Sequence, residues 1–252
     1  MNYVNCNKED LEKEYAALVA EYEEVKGKGL KLNMARGKPG EDQLNLSRPL
    51  LDVINSSTDC ITAHGADCRN YGELAGIDEC KNFFAEIFDV DPSDVMVGGN
   101  SSLNMMFDTI AGFMTKPVVE GCKPWYEVKN RKFLCPAPGY DRHFAITEYF
   151  DFDLIAVPMT ENGPDMDVVE KLVENDDSIK GIWCVPKYSN PLGITFSDET
   201  VKRFAALKPA AKDFRIMWDN AYCVHDVTDT PDELLSLMAE CRKTGNVDLP
   251  IM

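Results

Sequence analysis

The chain has 252 residues and a formal net charge of −17, from 43 acidic and 26 basic side chains. So acidic a protein is a poor match for nucleic acid or for an anionic membrane surface, because both are bound by clustered Lys and Arg. With 44% hydrophobic residues the chain can fill a core, and no apolar run reaches the roughly 20 residues that a membrane span needs.

The cysteines point to the compartment. There are nine of them, an odd number, and they form no C-x-x-C pair. This pattern argues against a disulfide framework and a structural zinc site, and it favours free thiols in a reducing compartment. The first residues, MNYVNCNKEDLEKEY, are acidic and lack the apolar stretch of a signal peptide. We therefore expect a cytoplasmic protein without a bound metal.

The first predicted element is an amphipathic helix that ends near KGKG, residues 26–29. Its apolar face is made of side chains at helical spacing, Leu11, Tyr15, Leu18, Val19 and Tyr22. After an irregular segment rich in Gly and Pro, a second helix follows Gly72, with Leu74, Ile77, Phe84, Ile87 and Phe88 on its face. A short strand, VMVGG, and a helix entered through small polar residues, NSSLNMMFDTIAGFM, come next.

From KFLCP onward, apolar strands alternate with helices. The predicted strands are KFLCP, DLIAVPM, IKGIWCVP and RIMWD, and the helices between them are GYDRHFAITEYF, MDVVEKLVEN and DETVKRFAALK. The last predicted helix, TPDELLSLMAECRKTG, begins with a capping box of Thr230 and Glu233, and DLPIM looks like the start of another strand. Apolar strands separated by helices indicate an α/β fold, with a mostly parallel sheet covered by helices on both faces.

Polar residues follow the predicted strands at four places, and ligands of α/β sheets bind at that edge. GGNSSLN opens a helix at Ser101 and Ser102, where N–H groups can hold a phosphate, although neither a P-loop nor a G-x-G-x-x-G pattern is present. The other three stretches offer candidate ligand groups: Tyr140, Asn190, Asp219 and Tyr222. Taken singly, each stretch is also explained as a capped helix, a half-buried ring or an ordinary turn.

Together the four stretches supply a phosphate site, a stacking ring, an amide, a carboxylate and a phenol at one sheet edge. This set suits a phosphorylated heteroaromatic cation. Pyridoxal 5′-phosphate (PLP) is such a molecule, because its ring nitrogen favours an anion, its 3′ oxygen favours donors and its phosphate favours N–H groups.

The same stretches resemble the fold-type I PLP enzymes, specifically the class I/II aminotransferases and a bacterial subgroup similar to aspartate aminotransferase. The matching motifs are ARGKPG, NYGELAGIDECKNFFAEIF, GGNSSLNMM, APGYDRHF, VPKYSNPLGITFSDE and WDNAYCVHD, in the family's order. SNPLG followed by DNAY is the most specific element. Leu192 is a mild departure from the family's usual N-P-T-G.

The resemblance implies how the phosphate and the subunits are arranged. Main-chain and hydroxyl groups of Ser101, Ser102 and Leu103 would hold the cofactor phosphate. Tyr71 would reach the phosphate of the other subunit's cofactor, which implies a homodimer.

The resemblance also assigns the ring and the substrate. Tyr140 would stack on the pyridine ring, and Asn190 and Tyr222 would hydrogen-bond its 3′ oxygen. Asp219 would pair with the protonated ring nitrogen, so Asp219 and Tyr222 are the expected catalytic residues in this chain. Gly37, together with Asn190, would lie beside the bound amino acid.

One family residue has no counterpart here. The Lys that forms the Schiff base lies downstream of D-x-A-Y, whereas Lys243 lies in the last predicted helix and Lys187, on the wrong side of the motif, is interpreted as a surface or interface residue. We therefore expect the sequence to be C-terminally incomplete. Residues 1–50 would be the N-terminal part of the small domain and residues 51–252 an incomplete PLP-binding large domain.

The implied activity of the whole protein is transfer of an amino group between an amino acid and a 2-oxo acid. A PLP lyase or decarboxylase on the same fold is the alternative, since fold and cofactor do not fix the reaction. The given chain alone is expected to be inactive, or to be a non-catalytic fragment that needs a partner chain. The three histidines have no spacing for a triad or a metal site and are interpreted as structural: His64, His143 and His225.

Overall fold

The computed structural model describes residues 3–32 and 37–252 and divides into two compact units, Met1–Asp59 and Cys60–Met252. The first unit is helical, with α1 (Lys8–Gly27) and α2 (Glu41–Ser47). Helix α1 confirms the predicted amphipathic helix, and its first turn is capped by Asn7, which accepts a hydrogen bond of 2.9 Å from the N–H of Asp10. The assignment of residues 1–50 to a small domain stays a prediction.

The second unit opens with two helices, α3 (Asp78–Phe88) and α4 (Ser102–Thr115). The prediction that α3 reaches back to Leu74 is wrong, because Gly76 has a left-handed φ of +95° that interrupts the helix. The predicted strand VMVGG is also wrong. Among the described residues no strand pairs with it, and the N–H of Val97 donates a hydrogen bond of 2.9 Å to the carbonyl of Ala75.

The centre of this unit is a six-stranded sheet in the order β3-β2-β1-β4-β5-β6. Its strands are β1 (Lys132–Ala137), β2 (Asp153–Thr160), β3 (Gly163–Pro164), β4 (Ile179–Cys184), β5 (Arg215–Trp218) and β6 (Pro250–Ile251). All neighbours are parallel except β2 and β3, which confirms the mostly parallel sheet. Strand β3 was not predicted, because Gly and Pro carry no strand signal.

Four further helices connect the strands: α5 (Asp141–Tyr149), α6 (Met166–Asn175), α7 (Asp198–Ala205) and α8 (Leu237–Thr244). The predicted capping box at Thr230 and Glu233 is wrong. Helix α8 begins later, and Ser236 caps it by accepting a hydrogen bond of 3.2 Å from the N–H of Ala239. The earlier stretch is held outside the helix by a tertiary contact, since the N–H of Asp232 donates to the hydroxyl of Tyr188.

Alternate residues of the central strands point to opposite faces of the sheet. One face, with Phe133, Trp183 and Met217, packs on α4 and α5, and the other packs on α6, α7 and α8. Fully burying such a side chain contributes about 1.5–3 kcal/mol. The two cores therefore confirm helices on both faces and make the strand ends a rigid platform.

Within residues 3–32 and 37–252, no helix is long and apolar enough to cross a bilayer.

Candidate active site

A cavity of about 360 Å³ opens where β1, β4 and β5 end. These strands are neighbours in the sheet, so the residues that follow them meet, and the N-terminus of α4 closes the remaining side. The cavity is lined by Asn100, Ser101, Ser102, Leu103, Tyr140, Val185, Asn190, Asp219, Ala221 and Tyr222. The structure thus brings together the candidate residues from all four sequence stretches, although their roles stay predictions.

The first turn of α4 forms one wall. Ser101 is its N-cap, and its hydroxyl accepts a hydrogen bond of 3.4 Å from the N–H of Asn104. A helix N-terminus leaves N–H groups unpaired and carries a partial positive charge. This wall is therefore suited to an anionic group.

Asp219 is held from behind by a histidine. The Nε2 of His143 lies 2.9 Å from Oδ2 of Asp219, and the side chains are 1% and 12% exposed, respectively. When Asp219 is ionised it only accepts hydrogen bonds, and Nε2 is then the donor of this contact. The imidazole stacks on Trp183, with ring centroids 4.7 Å apart, so the carboxylate has a rigid support.

Sequence reasoning missed this pair when it treated His143 as a residue without a partner. One signal was available. His143 lies three residues after Tyr140 at the start of a helix, and residues at that spacing share a helix face. A side chain on that face, beside the sheet edge, can reach the residue that follows a neighbouring strand.

Lys187 is buried, so its interpretation as a surface or interface residue is wrong. Its Nζ donates to Oδ1 of Asp226 at 2.8 Å and to the carbonyl oxygen of Cys223 at 3.3 Å. Among the described residues, no lysine lines the 360 Å³ cavity. Lys187 is thus committed to a neighbouring loop rather than to the cavity.

Two polar groups on the rim are available to a ligand. In the part of the chain that the structure describes, neither the Asn190 side-chain amide nor the Tyr222 hydroxyl has a hydrogen-bond partner, and Asn190 is exposed. Asn220 differs, since its Oδ1 is buried and, again among described residues, unpaired. Asn220 lines a second, apolar cavity of about 340 Å³ that shares Ser102, Asp219 and Ala221 with the first.

The cysteines near the site are poor nucleophiles. Burial raises the pKa of Cys135 to about 12 and that of Cys184 well above its usual value. Both lie in strands that end at the site. Because the thiolate is the reactive form, neither side chain supplies a nucleophile at neutral pH.

Two predicted residues lie apart from this cluster. Tyr71 is 96% exposed and does not line the cavity, so any cofactor contact would have to be made to another subunit. Gly37 belongs to the first unit, and its place beside a substrate stays a prediction.

Comparison with known proteins decides the family. The sequence profile described as aspartate amino-transferase matches residues 6–252. The chain belongs to the aspartate amino-transferase family. An aminotransferase-named protein of Mycolicibacterium smegmatis is 42% identical over 253 residues, covering 100% of this chain and 59% of that protein. The aspartate aminotransferase of Corynebacterium glutamicum is 44% identical over 89% of this chain and 52% of its own length.

Solved structures agree with this placement. A crystal structure of an aspartate transaminase from Corynebacterium glutamicum superposes with a TM-score of 0.86 at 40% identity, over 98% of this chain and 57% of that one. An α-aminoadipate aminotransferase from Thermus thermophilus, complexed with N-(5′-phosphopyridoxyl)-L-leucine, superposes with a TM-score of 0.54 at 20% identity. The match covers 71% of this chain and 41% of that one, and it shows the fold alone. The family resemblance read from the motifs is thus confirmed, and the chain spans under three fifths of these relatives' lengths.

Proposed function

We propose that the whole protein is a PLP-dependent aminotransferase that moves an amino group between an amino acid and a 2-oxo acid. The observation that carries this proposal is the convergence of Ser101, Tyr140, Asn190, Asp219 and Tyr222 on one cavity. The Corynebacterium glutamicum relative is named an aspartate aminotransferase, so aspartate is the amino donor that we propose first.

The residues present fit PLP. The volume of about 360 Å³ lies within the roughly 300–1,000 Å³ of ligand pockets. The α4 N-terminus suits the phosphate, and the free donors of Asn190 and Tyr222 suit the 3′ oxygen. Asp219 supplies the anion for the ring nitrogen.

When bound, PLP supplies an electron sink for the carbanion that forms at the substrate's α-carbon. Asp219 keeps the proton on the ring nitrogen, because an adjacent anion favours the charged form of a base. His143 fixes the direction of that carboxylate through its 2.9 Å hydrogen bond. Tyr140 covers a face of the ring and excludes water from it.

The remaining groups orient the cofactor and substrate. Ser101, Ser102 and Leu103 hold the phosphate, and Asn190 and Tyr222 donate to the 3′ oxygen. These contacts keep the reacting carbon in one position, which is how positioning lowers a barrier.

We further propose that the Schiff-base Lys belongs to a part of the whole protein outside residues 1–252. Residues 51–252 would then belong to the PLP-binding domain, with Gly37 beside the substrate. The free thiols favour the cytoplasm as the place of action. Tyr71, as an exposed ring, would reach the phosphate in a second subunit of a homodimer.

The principal test is Asp219→Asn in the whole protein. We expect turnover with aspartate and a 2-oxo acid to fall by about 10²–10⁴-fold, the range typical of a lost general acid–base contribution. PLP occupancy should change far less. Asp198→Asn, in the first turn of α7, is the control and keeps normal turnover. Unchanged turnover in Asp219→Asn would remove the basis of the proposal.

Two further experiments test the lysine and the dimer. Borohydride reduction of the 252-residue chain with PLP, followed by digestion, should give no stoichiometric pyridoxyl adduct, whereas the whole protein should give one beyond Met252. An adduct on Lys187 with measurable amino transfer would contradict this assignment.

Sedimentation of the whole protein should show a dimer, and an active monomer would exclude the proposed role of Tyr71.

A further inference from the structure

Two adjacent side chains join the loop that carries Asn190 to the loop that carries Tyr222. Lys187 donates to Asp226 at 2.8 Å and to the carbonyl of Cys223 at 3.3 Å. One residue later, the hydroxyl of Tyr188 accepts a hydrogen bond of 2.9 Å from the N–H of Asp232. We call these contacts the loop clamp.

The clamp is stronger than a surface ion pair. The Lys187 side chain is only 8% exposed, whereas that of Asp226 is 37% exposed. A hydrogen bond between charged groups is roughly twice as strong as a neutral one, and low exposure limits screening by salt. Tyr188 has a left-handed φ of +48°, which is unfavourable for a non-glycine residue, so the surrounding contacts hold the backbone there.

The clamp lies close to both free donors along the chain. Lys187 precedes Asn190 by three residues, and Cys223 follows Tyr222 directly. Within the loop, the N–H of Ser189 donates to the carbonyl of Ile194 at 2.8 Å, so a movement of Lys187 is passed to the Asn190 turn. The paired ends of β4 and β5 bring the two loops together, and the contacts of Lys187 add a second connection between the Asn190 amide and the Tyr222 hydroxyl.

We propose that Lys187 is a positioning residue that holds the Asn190 amide and the Tyr222 hydroxyl at the separation needed to donate together to the cofactor's 3′ oxygen. The inference rests on the proposed function and deepens it. Two donors converge on one atom only within a narrow range, because hydrogen bonds weaken steeply outside normal distances and angles. Lys187 contacts neither cofactor nor substrate and acts through the two loops.

The test measures non-covalent binding of pyridoxamine 5′-phosphate, which needs no Schiff base, by fluorescence of the Trp residues beside the site. Lys187→Met keeps the side-chain length and removes the charge. We expect its affinity to fall by about tenfold, the factor that a hydrogen bond to a charged group is worth. Lys187→Arg keeps the charge and should recover most of the affinity.

A matched control lies on β4, the strand that precedes the Lys187 loop. Lys180 near the start of β4 is also 8% exposed at its side chain and is also paired with an aspartate, Asp213, at 2.8 Å. Lys180→Met removes an equally buried lysine at the opposite edge of the sheet. It should lower stability without changing affinity for pyridoxamine 5′-phosphate. Asp226→Ala removes the acceptor from its exposed side and should reproduce the effect of Lys187→Met even if a buried replacement misfolds.

A second ligand makes the readout specific for the 3′ oxygen. Methylation of that oxygen removes its charge and crowds the donors, so it should weaken binding to the unaltered protein. In Lys187→Met and Asp226→Ala the penalty for methylation should shrink, because the two donors no longer converge there. A merely structural role would weaken both ligands by the same factor.

The outcomes separate the two proposals. If the unaltered whole protein fails to bind pyridoxamine 5′-phosphate, the proposed function is wrong and this inference with it. If it binds, but both clamp variants bind equally well or lose affinity equally for the two ligands, only the role of Lys187 is overturned. Selective loss for the unmethylated ligand, with normal affinity in Lys180→Met, supports it.

Discussion

Polar and charged side chains are paired differently at the amino ends and at the carboxyl ends of the parallel strands, here called the amino edge and the carboxyl edge of the sheet. At the amino edge, Asp213 is 5% exposed and accepts hydrogen bonds from Lys180 at 2.8 Å and from the Trp125 indole at 2.9 Å. At the carboxyl edge, Asn190 and Tyr222 are left without protein partners among the described residues, whereas Asp219 is held by His143. One edge is closed on itself and the other is open to a ligand.

This difference separates groups that hold the fold from groups that serve the site. Buried polar groups are almost always paired, because an unpaired one loses its hydrogen bonds to water. The amino edge obeys that rule within the chain. The carboxyl edge leaves hydrogen-bond donors accessible, and a ligand with acceptor atoms would supply their missing partners. The comparison predicts that substitutions at the two edges affect different measurements.

The largest effect on stability is expected at the amino edge. Asp213→Ala leaves the Lys180 ammonium buried without its counter-ion, and breaking such a pair costs about 3–5 kcal/mol. Urea unfolding of the variant and the unaltered chain measures this free energy. A loss below about 1 kcal/mol would mean that water reaches this edge and that the contrast between the edges is overstated.

His143→Leu is the counterpart at the carboxyl edge. We expect a smaller loss of stability, about 1–3 kcal/mol, because Asp219 keeps some contact with water, together with a clear fall in turnover of the whole protein. His64→Leu is the control. His64 also pairs with an aspartate, Asp78, at 3.3 Å, but its side chain is 74% exposed, so its loss should cost about 0–1 kcal/mol and no turnover. Equal effects of the two changes would contradict a special role for the buried pair.

Two helix caps sharpen the comparison further. Ser101 caps α4 at the site, and Ser236 caps α8, which begins outside it. Replacing either by Ala should cost about 1 kcal/mol of unfolding free energy. Only Ser101→Ala should also weaken binding of pyridoxamine 5′-phosphate in a titration. Weakened binding in both variants would indicate that α4 supplies stability rather than a phosphate contact.

The smallest effect concerns another pair at the amino edge. Burial raises the pKa of Asp176, but hydrogen bonds from Lys132 and Ser178 outweigh it and lower the pKa to about 2. A carboxyl group with a lowered folded-state pKa stabilises the fold above its unfolded value of about 3.9 and loses that contribution as the pH falls toward its folded-state value.

Asp176→Asn should therefore reduce stability at pH 7 by less than about 1 kcal/mol, because the pair is partly exposed. Thermal unfolding should show the gap to the unaltered chain closing between about pH 4 and pH 2. A gap that persists at pH 2 would assign the loss to packing instead of charge.

The sequence predicted the parts of the site that follow from local order along the chain. Tyr140, Asn190 and Asp219 each follow an apolar strand, and parallel strands bring such residues to one edge. The contacts of His143 and Lys187 were not predicted, because their partners, Asp219 and Asp226, lie 76 and 39 residues away in the chain. No periodicity reports a pair that only the tertiary fold creates.

The same limit explains the errors in secondary structure. VMVGG has the composition of a strand, but no strand pairs with it in the part of the chain that the structure describes, and a strand depends on its neighbours for its hydrogen bonds. The capping box at Thr230 matches a helix start, yet a contact of Asp232 with the distant Tyr188 places the true start at Leu237. Local signals predicted which elements exist better than where they begin.

Strand β3 has a consequence for how this protein behaves in crowded solution. It is only two residues long, runs antiparallel to β2, and contains Pro164, which has no N–H to offer. Exposed strand edges are where chains add to one another in aggregation, and short strands with proline block that addition. On the β3 side, intermolecular pairing is therefore disfavoured by the backbone itself, independently of the net charge of the surface.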